Sequence, residues 1–197
     1  MIAFLKGRLA HKDPTFVIID VNGVGYHVNI SLQTYSEVKD QENILLFTHL
    51  AIREDAHILF GFSHESEKKL FQQLISVNGI GPSTAIVMLS YMNSQELKTA
   101  IVQENVAMLQ SIKGIGGKTA QRVIIELKDK LKKESWEESQ PMVSVGSHNT
   151  LRKEALSALL TLGLPKAVAE KSVDTVLKKS GNTITLEDLV KQALKNA

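Results

Sequence analysis

Apolar positions follow one period at the start of this chain and another through the rest of it. Up to about Phe62 the pattern is that of short strands. Thr15-Phe16-Val17-Ile18-Ile19-Asp20-Val21 is rich in β-branched residues and runs into Asn22-Gly23, a strong signal for a two-residue hairpin turn. Tyr26-His27-Val28-Asn29-Ile30 then alternates apolar and polar side chains with period two. A longer pair follows, Asn43 to Arg53 and Ala56 to Phe62, joined at Glu54-Asp55. Five or so short strands in about sixty residues predict a small closed barrel of the OB type, a frequent nucleic-acid platform. A small open sheet would share most of the pattern.

From residue 63 to about 134 the period becomes helical. Leu70, Phe71, Leu74 and Ile75 fall on one face of a helix that includes Ser66. Ser94, followed by Gln95, Glu96 and Leu97, reads as the N-cap of a helix running toward Val102. Thr119 to Lys132 reads as a further helix with apolar Val123, Ile124 and Leu127. Its Lys128, Lys130, Lys132 and Lys133 suit the negative end of a helix dipole. Between these helices one signature occurs twice, thirty-five residues apart. The first copy is Leu74-Ile75-Ser76-Val77-Asn78-Gly79-Ile80-Gly81-Pro82-Ser83-Thr84-Ala85. The second is Leu109-Gln110-Ser111-Ile112-Lys113-Gly114-Ile115-Gly116-Gly117-Lys118-Thr119-Ala120. Helix, tight glycine turn and helix make a helix-hairpin-helix, here in tandem.

Residues 135–148 lose this periodicity and gain Ser, Gly and Pro, so they read as a linker. Residues 149–197 predict three short amphipathic helices. The first runs near Leu151–Leu162 and stops at Gly163. The second has Pro165 in its first turn and ends before Gly181-Asn182, and the third is opened by Thr185-Leu186-Glu187-Asp188. About fifty residues make a small core, and a tethered three-helix bundle of this size suits a docking role.

The paired turns suggest a chemistry. A Gly-x-Gly turn presents backbone N–H groups that no side chain shields, and Gly79, Gly81, Gly114 and Gly116 can take positive φ so that a phosphate approaches the backbone. The following helix N-terminus adds unpaired donors and partial positive charge. Lys118 and Arg122, one turn apart, can add charge-assisted contacts. With Ser83, Gly117 and Thr119, these residues form the candidate backbone-binding set, and contacts of this kind carry no sequence preference.

Composition narrows the alternatives. The chain has no cysteine, which removes disulfides, thiol nucleophiles and Cys-based metal sites, and suits a reducing compartment. A charge arrives too early in Met1–Arg8 for a signal-peptide core, and no apolar run approaches the roughly 18–20 residues that span a bilayer. A cytoplasmic protein without membrane attachment is expected. Gly117-Lys118-Thr119 resembles the end of a nucleotide-binding P-loop, but that motif needs Gly where Ile112 stands. Only Glu126 and Asp129 closely follow the second hairpin, on a Lys-rich helix, and the six histidines show no metal-ligand spacing. No catalytic residue, cofactor or metal is therefore expected. Two other classes stay open: a helix-hairpin-helix DNA-repair enzyme, and an interaction scaffold whose hairpins only pack.

The net charge of +2 is unevenly placed: −2 over residues 1–62, +3 over 63–134, −2 over 135–150 and +3 over 151–197. Affinity for nucleic acid grows with the number of phosphates neutralised, so a lone domain at +3 binds feebly. Tight binding would need several copies acting together.

The order of these blocks resembles the RuvA family, bacterial subunits that bind Holliday junctions for branch migration. The resemblance rests on Val24-Gly25-Tyr26, Thr48-His49 leading to Arg53-Glu54-Asp55-Ala56, Gly61-Phe62, both Gly-Ile-Gly hairpins and Ala155–Gly163. It implies a multidomain α+β chain. An OB-type barrel of five strands would span 1–62 and a tandem helix-hairpin-helix DNA-binding domain 63–134. A flexible linker at 135–148 and a UBA-like three-helix bundle at 149–197 would follow. It also implies a fourfold homotetramer holding an open four-way junction flat, with a second tetramer able to close over the other face. Four copies would bring +12 to the hairpin layer. The third domain would dock RuvB, a hexameric ATPase, through residues such as Leu159, Leu162 and Leu164, and the resolvase RuvC could act on the same junction. Acidic residues at a hairpin tip are ordinarily turn formers facing water. In this family the tip is an acidic pin at the junction centre, a role that falls here on Glu54 and Asp55. The chain departs from the common pattern at Ser83 and Gly117, where Lys is frequent, and at Leu164, where an aromatic is frequent. The first two changes thin the phosphate-pairing charge.

Overall fold

The computed structural model describes residues 1–139, 147–180 and 184–196. The chain forms two compact units, Met1–Glu138 and Ser139–Ala197. The first begins with β1 (Phe4–Lys12), β2 (Phe16–Val21), β3 (Val24–Ile30), α1 (Leu32–Val38), β4 (Asn43–Ile52) and β5 (His57–Phe62). The strands close into a barrel in the order β1-β2-β3-β5-β4, with β3 and β5 parallel and the other pairs antiparallel. Closure decides between barrel and open sheet. Asn22 (φ 51°) and Gly23 (φ 88°) form the expected turn, with Val21 opposite Val24. The barrel interior is filled by alternate residues of the strands, among them Leu5, Val17, Ile19, Val28, Ile30, Ile44 and Leu46.

Two barrel elements carry weak sequence signals. β1 reads Phe-Leu-Lys-Gly-Arg-Leu-Ala-His-Lys, and its alternation is broken by an irregularity between Leu9 and His11. A side chain at Gly7 would lie 2.3 Å from the Asp20 carbonyl, so the close approach of β2 requires glycine there. α1 has only seven residues and is capped by Ser31, whose side chain accepts from the Thr34 N–H.

Five helices follow: α2 (Glu65–Ile75), α3 (Pro82–Tyr91), α4 (Ser94–Val102), α5 (Val106–Gln110) and α6 (Gly117–Ser139). Asn93, not Ser94, caps α4, through a reciprocal capping box with Glu96. α6 continues to Ser139, into the stretch read as a linker, and residues 140–146 of that stretch lie outside the described residues. Lys128, Lys130, Lys132 and Lys133 therefore sit inside the helix rather than at its dipole end. Lys128 pairs with Glu104 at the α4–α5 corner.

Phe60 and Phe62 leave the barrel core and join the helical one, where Phe71 of α2 meets both at ring-centroid distances of 5.3 and 4.9 Å. Barrel and hairpins thus share packing across the boundary read at residue 62. A buried polar contact reinforces it. Glu67 of α2 is almost wholly enclosed and accepts from Ser31 Oγ (2.7 Å) and Thr34 Oγ1 (2.9 Å) of the α1 turn. Burial pushes the Glu67 carboxyl above its ordinary value, against the pull of those two hydroxyls. The folded chain then takes up this proton at a higher pH than the unfolded chain, so lowering the pH through that raised range stabilises the fold. Comparing melting midpoints of the natural chain and Glu67→Gln from about pH 7 to about pH 5 tests this. The natural chain is expected to gain on the variant as the pH falls; a constant difference would contradict the shift.

The second unit consists of α7 (Ser147–Thr161), α8 (Lys166–Ser180) and α9 (Leu186–Lys195). Gly163, at φ 92°, turns the chain after α7, and Pro165 immediately precedes α8. Gly181-Asn182 lie outside the described residues. Thr185 caps α9, accepting from the Asp188 N–H as its sequence predicts. Ala155, Leu159, Ala169, Val173, Val176, Leu189 and Ala193 form the core. Arg152 bridges α7 to Asp174 of α8 with bonds of 2.6 and 3.0 Å, which holds the Asp174 carboxyl below the usual carboxylate range.

Candidate nucleic-acid interface

The two glycine turns have the same geometry. In the first, the N–H of Val77 donates to Leu74 O (3.1 Å), that of Ile80 to Val77 O (3.1 Å), and that of Ala85 to Gly81 O (3.0 Å). In the second, Ile112 donates to Leu109 O (3.3 Å), Ile115 to Ile112 O (3.0 Å), and Ala120 to Gly116 O (2.9 Å). The apolar member between the glycines, Ile80 or Ile115, is buried and pins each turn to the core.

Within each turn the glycines divide the work. Gly79 and Gly114 take φ of 95° and 92°, a conformation that side chains resist. Gly81 and Gly116 do not share it: Gly81 is an extended N-cap at φ −87°, and Gly116 is not among the positive-φ residues. The expectation of positive φ at all four is corrected to the first glycine of each pair. At all four, a Cβ would meet nothing within 4 Å, so the space over these amides is open. Among the described residues, no acceptor takes their N–H groups.

The following helices differ at their first residue. α3 starts with Pro82, which has no N–H, and α6 starts with Gly117, which has one. A side chain at 117 would press on the flexible end of Gln110 (2.5 Å to Nε2), so the backbone does not itself demand glycine there. Ser83 and Lys118 are exposed and Thr119 is half-buried. Arg122 has a role that its spacing from Lys118 does not suggest. Its Nη1 donates to the Asn78 carbonyl of the first turn (3.1 Å), tying the two turns together. Lys113, exposed beside Gly114, is a cation that reading by glycine spacing missed. Its position opposite Asn78 in the aligned repeats was the available signal.

Glu54 and Asp55 stand exposed at the tip between β4 and β5, which the Arg53 N–H closes onto Ala56 O at 2.8 Å. Neither carboxylate has a partner among the described residues. Ala51 and Ile58, just below the tip, pack against the helical core, so the tip is mounted on the body that carries the turns. In the second unit, Leu159 is fully buried and belongs to the core, which corrects its assignment to a docking face. Leu162 is 59% exposed, Leu164 is half-buried, and Leu160 and Val168 add exposed apolar surface on α7 and α8.

Among the described residues, no group of three or more His, Asp or Glu is placed to hold a metal ion, and no helix is long and apolar enough to cross a membrane. Comparison with known families matches residues 1–61 to the RuvA N terminal domain, 71–129 to the SAM-like helix-hairpin-helix tandem and 150–197 to the RuvA C-terminal domain. A protein of Cytophaga hutchinsonii named Holliday junction branch migration complex subunit RuvA is 58% identical over 99% of each chain. Proteins of the same name from Flavobacterium psychrophilum and Christiangramia forsetii are 50% identical over 100% of each chain and 48% identical over 99% of each. With barrel, duplicated turns and three-helix tail all in place, the likeness extends over the whole sequence, and the chain belongs to the RuvA family.

Proposed function

We propose that this protein binds four-way DNA junctions without regard to sequence and presents them to a separate motor. The observation that carries the reading is the pair of matching turns with open, unpartnered amides, tied to each other by Arg122. Each turn offers N–H donors to a phosphate, and Lys113 and Lys118 supply charge beside the second. Nothing in this set discriminates between bases.

The finer parts of the reading rest on the resemblance. Residues 1–62 and 63–134 hold DNA, and 149–197 dock the RuvB ATPase through Leu162 and Leu164, aided by Leu160 and Val168. Four copies assemble around the junction, singly or as two facing tetramers, and RuvC acts on the same substrate. The chain itself is non-catalytic, needs no cofactor and works in the cytoplasm. Glu54 and Asp55, unpaired on a tip anchored to the hairpin body, repel phosphates at the crossover and favour separated strands.

A gel-shift titration at matched salt tests this, using a four-way junction and a linear duplex of equal length. Preference for the junction is expected, and equal affinity would overturn the reading. In the same assay, Glu54→Gln with Asp55→Asn should keep or tighten binding. Loss of binding would contradict a repulsive pin.

A further inference from the structure

The outer face of the barrel carries an arrangement that the turns and the pin do not use. His11 of β1, Phe16 of β2 and His27 of β3 stack across three adjacent strands. The ring centroids are 5.4 Å apart at 25° between His11 and Phe16, and 4.4 Å apart at 18° between Phe16 and His27. His11 and His27, at the two ends of the stack, are exposed, and Phe16 between them is half-buried.

An irregularity in the sheet builds this ladder. Leu9 pairs with Ile19, whose side chain is buried in the barrel, and strict alternation would then set Ala10 outward opposite Ile18. The bulge between Leu9 and His11 adds one residue, so that His11 takes the place opposite Ile18, and Ile18 in turn pairs with His27. Bulges of this kind re-aim a side chain and recur at functional sites. β1 is also a basic strand. Lys6, Arg8, His11 and Lys12 lie on it with no acidic residue, although residues 1–62 are net negative. Arg8 pairs with Asp20 of β2 at 3.2 Å, and Lys12 Nζ donates to the Lys39 carbonyl, which leaves Lys6 and the Lys12 charge for phosphates.

Rings standing beside a line of cations are what a single nucleic-acid strand requires: bases stack on the rings and phosphates follow the charge. In barrels of this type the strand 2–3 face and the neighbouring loops are the usual platform. Here the face is continuous with the hairpin body. Phe16 pairs with Asn29, which lines, with Pro14 and Thr15, a groove of about 350 Å³ reaching Ser83 and Val87 of α3.

We propose that the β1–β2–β3 face is a second DNA site, taking unpaired bases of one strand on the His11–Phe16–His27 ladder with its phosphates along β1. This goes beyond grip by the glycine turns and does not depend on it. The test is fluorescence anisotropy of the full chain with a labelled thymidine oligomer of about 15 nucleotides at low salt. The natural chain should bind it, and His11→Ala with His27→Ala, or Phe16→Ala, should each weaken binding about tenfold. Binding of a fully paired four-way junction should stay within about twofold, since phosphate contacts dominate there. His11→Phe with His27→Phe, which keeps the stacking surface, should retain oligomer binding. The exposed His pair keeps the test open should Phe16→Ala fail to fold. Gly79→Val with Gly114→Val should still bind the oligomer, which separates this site from the turns. Unchanged oligomer affinity in the His11→Ala, His27→Ala chain would overturn the proposal. So would loss of oligomer binding in the turn variant alone, because the strand would then lie on the turns.

Discussion

Gly79→Val combined with Gly114→Val is expected to lower four-way-junction affinity by about a hundredfold or more. Both glycines hold φ near 90°, where a β-branched side chain costs roughly 1–3 kcal/mol, so each turn must change shape to accept valine. A hydrogen bond to a charged partner contributes roughly 1.5–3 kcal/mol. Losing one per turn removes at least about 3 kcal/mol, and each 1.4 kcal/mol is about tenfold in affinity. A second pair separates strain from shielding. Gly81 is at φ −87° and neither Gly81 nor Gly116 meets anything within 4 Å, so Gly81→Ala with Gly116→Ala should leave the melting midpoint unchanged. It should still weaken binding, because the new methyls stand over the open amides. Gel-shift titration beside thermal melting reads both pairs. Junction binding that survives the valine pair would refute the phosphate-turn mechanism.

Phe71→Ala is expected to give the largest loss of stability, about 3–5 kcal/mol, or about 10 °C in melting midpoint for a unit of this size. The Phe71 ring is fully buried and lies among His49, Phe60 and Phe62, which come from both strands of the hairpin that ends in Glu54-Asp55. Removing it empties the place where the barrel and the hairpin helices share one core. The melt of Met1–Glu138 within the full chain should shift as one transition. A shift below about 2 °C would mean that barrel and helices are stabilised separately. Phe16→Ala, on the outer face, should cost far less, because cross-strand pairs contribute only about 0.2–1 kcal/mol.

Much of the fold is legible in the sequence where short-range geometry dictates it. Asn22-Gly23 forms its turn and Thr185 its cap because φ preferences and side-chain-to-backbone bonds act within three or four residues. β1 escapes the same reading because its bulge interrupts the alternation, and α1 because seven residues carry little periodicity. In the helical block the N-cap shifts from Ser94 to Asn93 because both residue types cap well and only the Glu96 partner decides between them. The end of α6 was equally hidden, since the acidic run after Lys133 continues the helix to Ser139 rather than ending it.

The candidate site divides along the same line. By itself the sequence determined the duplicated turns, because each is a local structure repeated in register, with glycine where φ must be positive and an apolar residue where the turn meets the core. It also determined the acidic tip between two strands. Only the tertiary structure decided what each side chain does over longer distances. It brought Arg122 to the carbonyl of Asn78, drew Leu159 into a core and away from a docking face, and set Phe60 and Phe62 against α2. It also lined up His11, Phe16 and His27 across three strands. The physical reason is range: turns and caps are fixed by bonds spanning a few residues, whereas packing partners are chosen by burial between segments far apart in the chain.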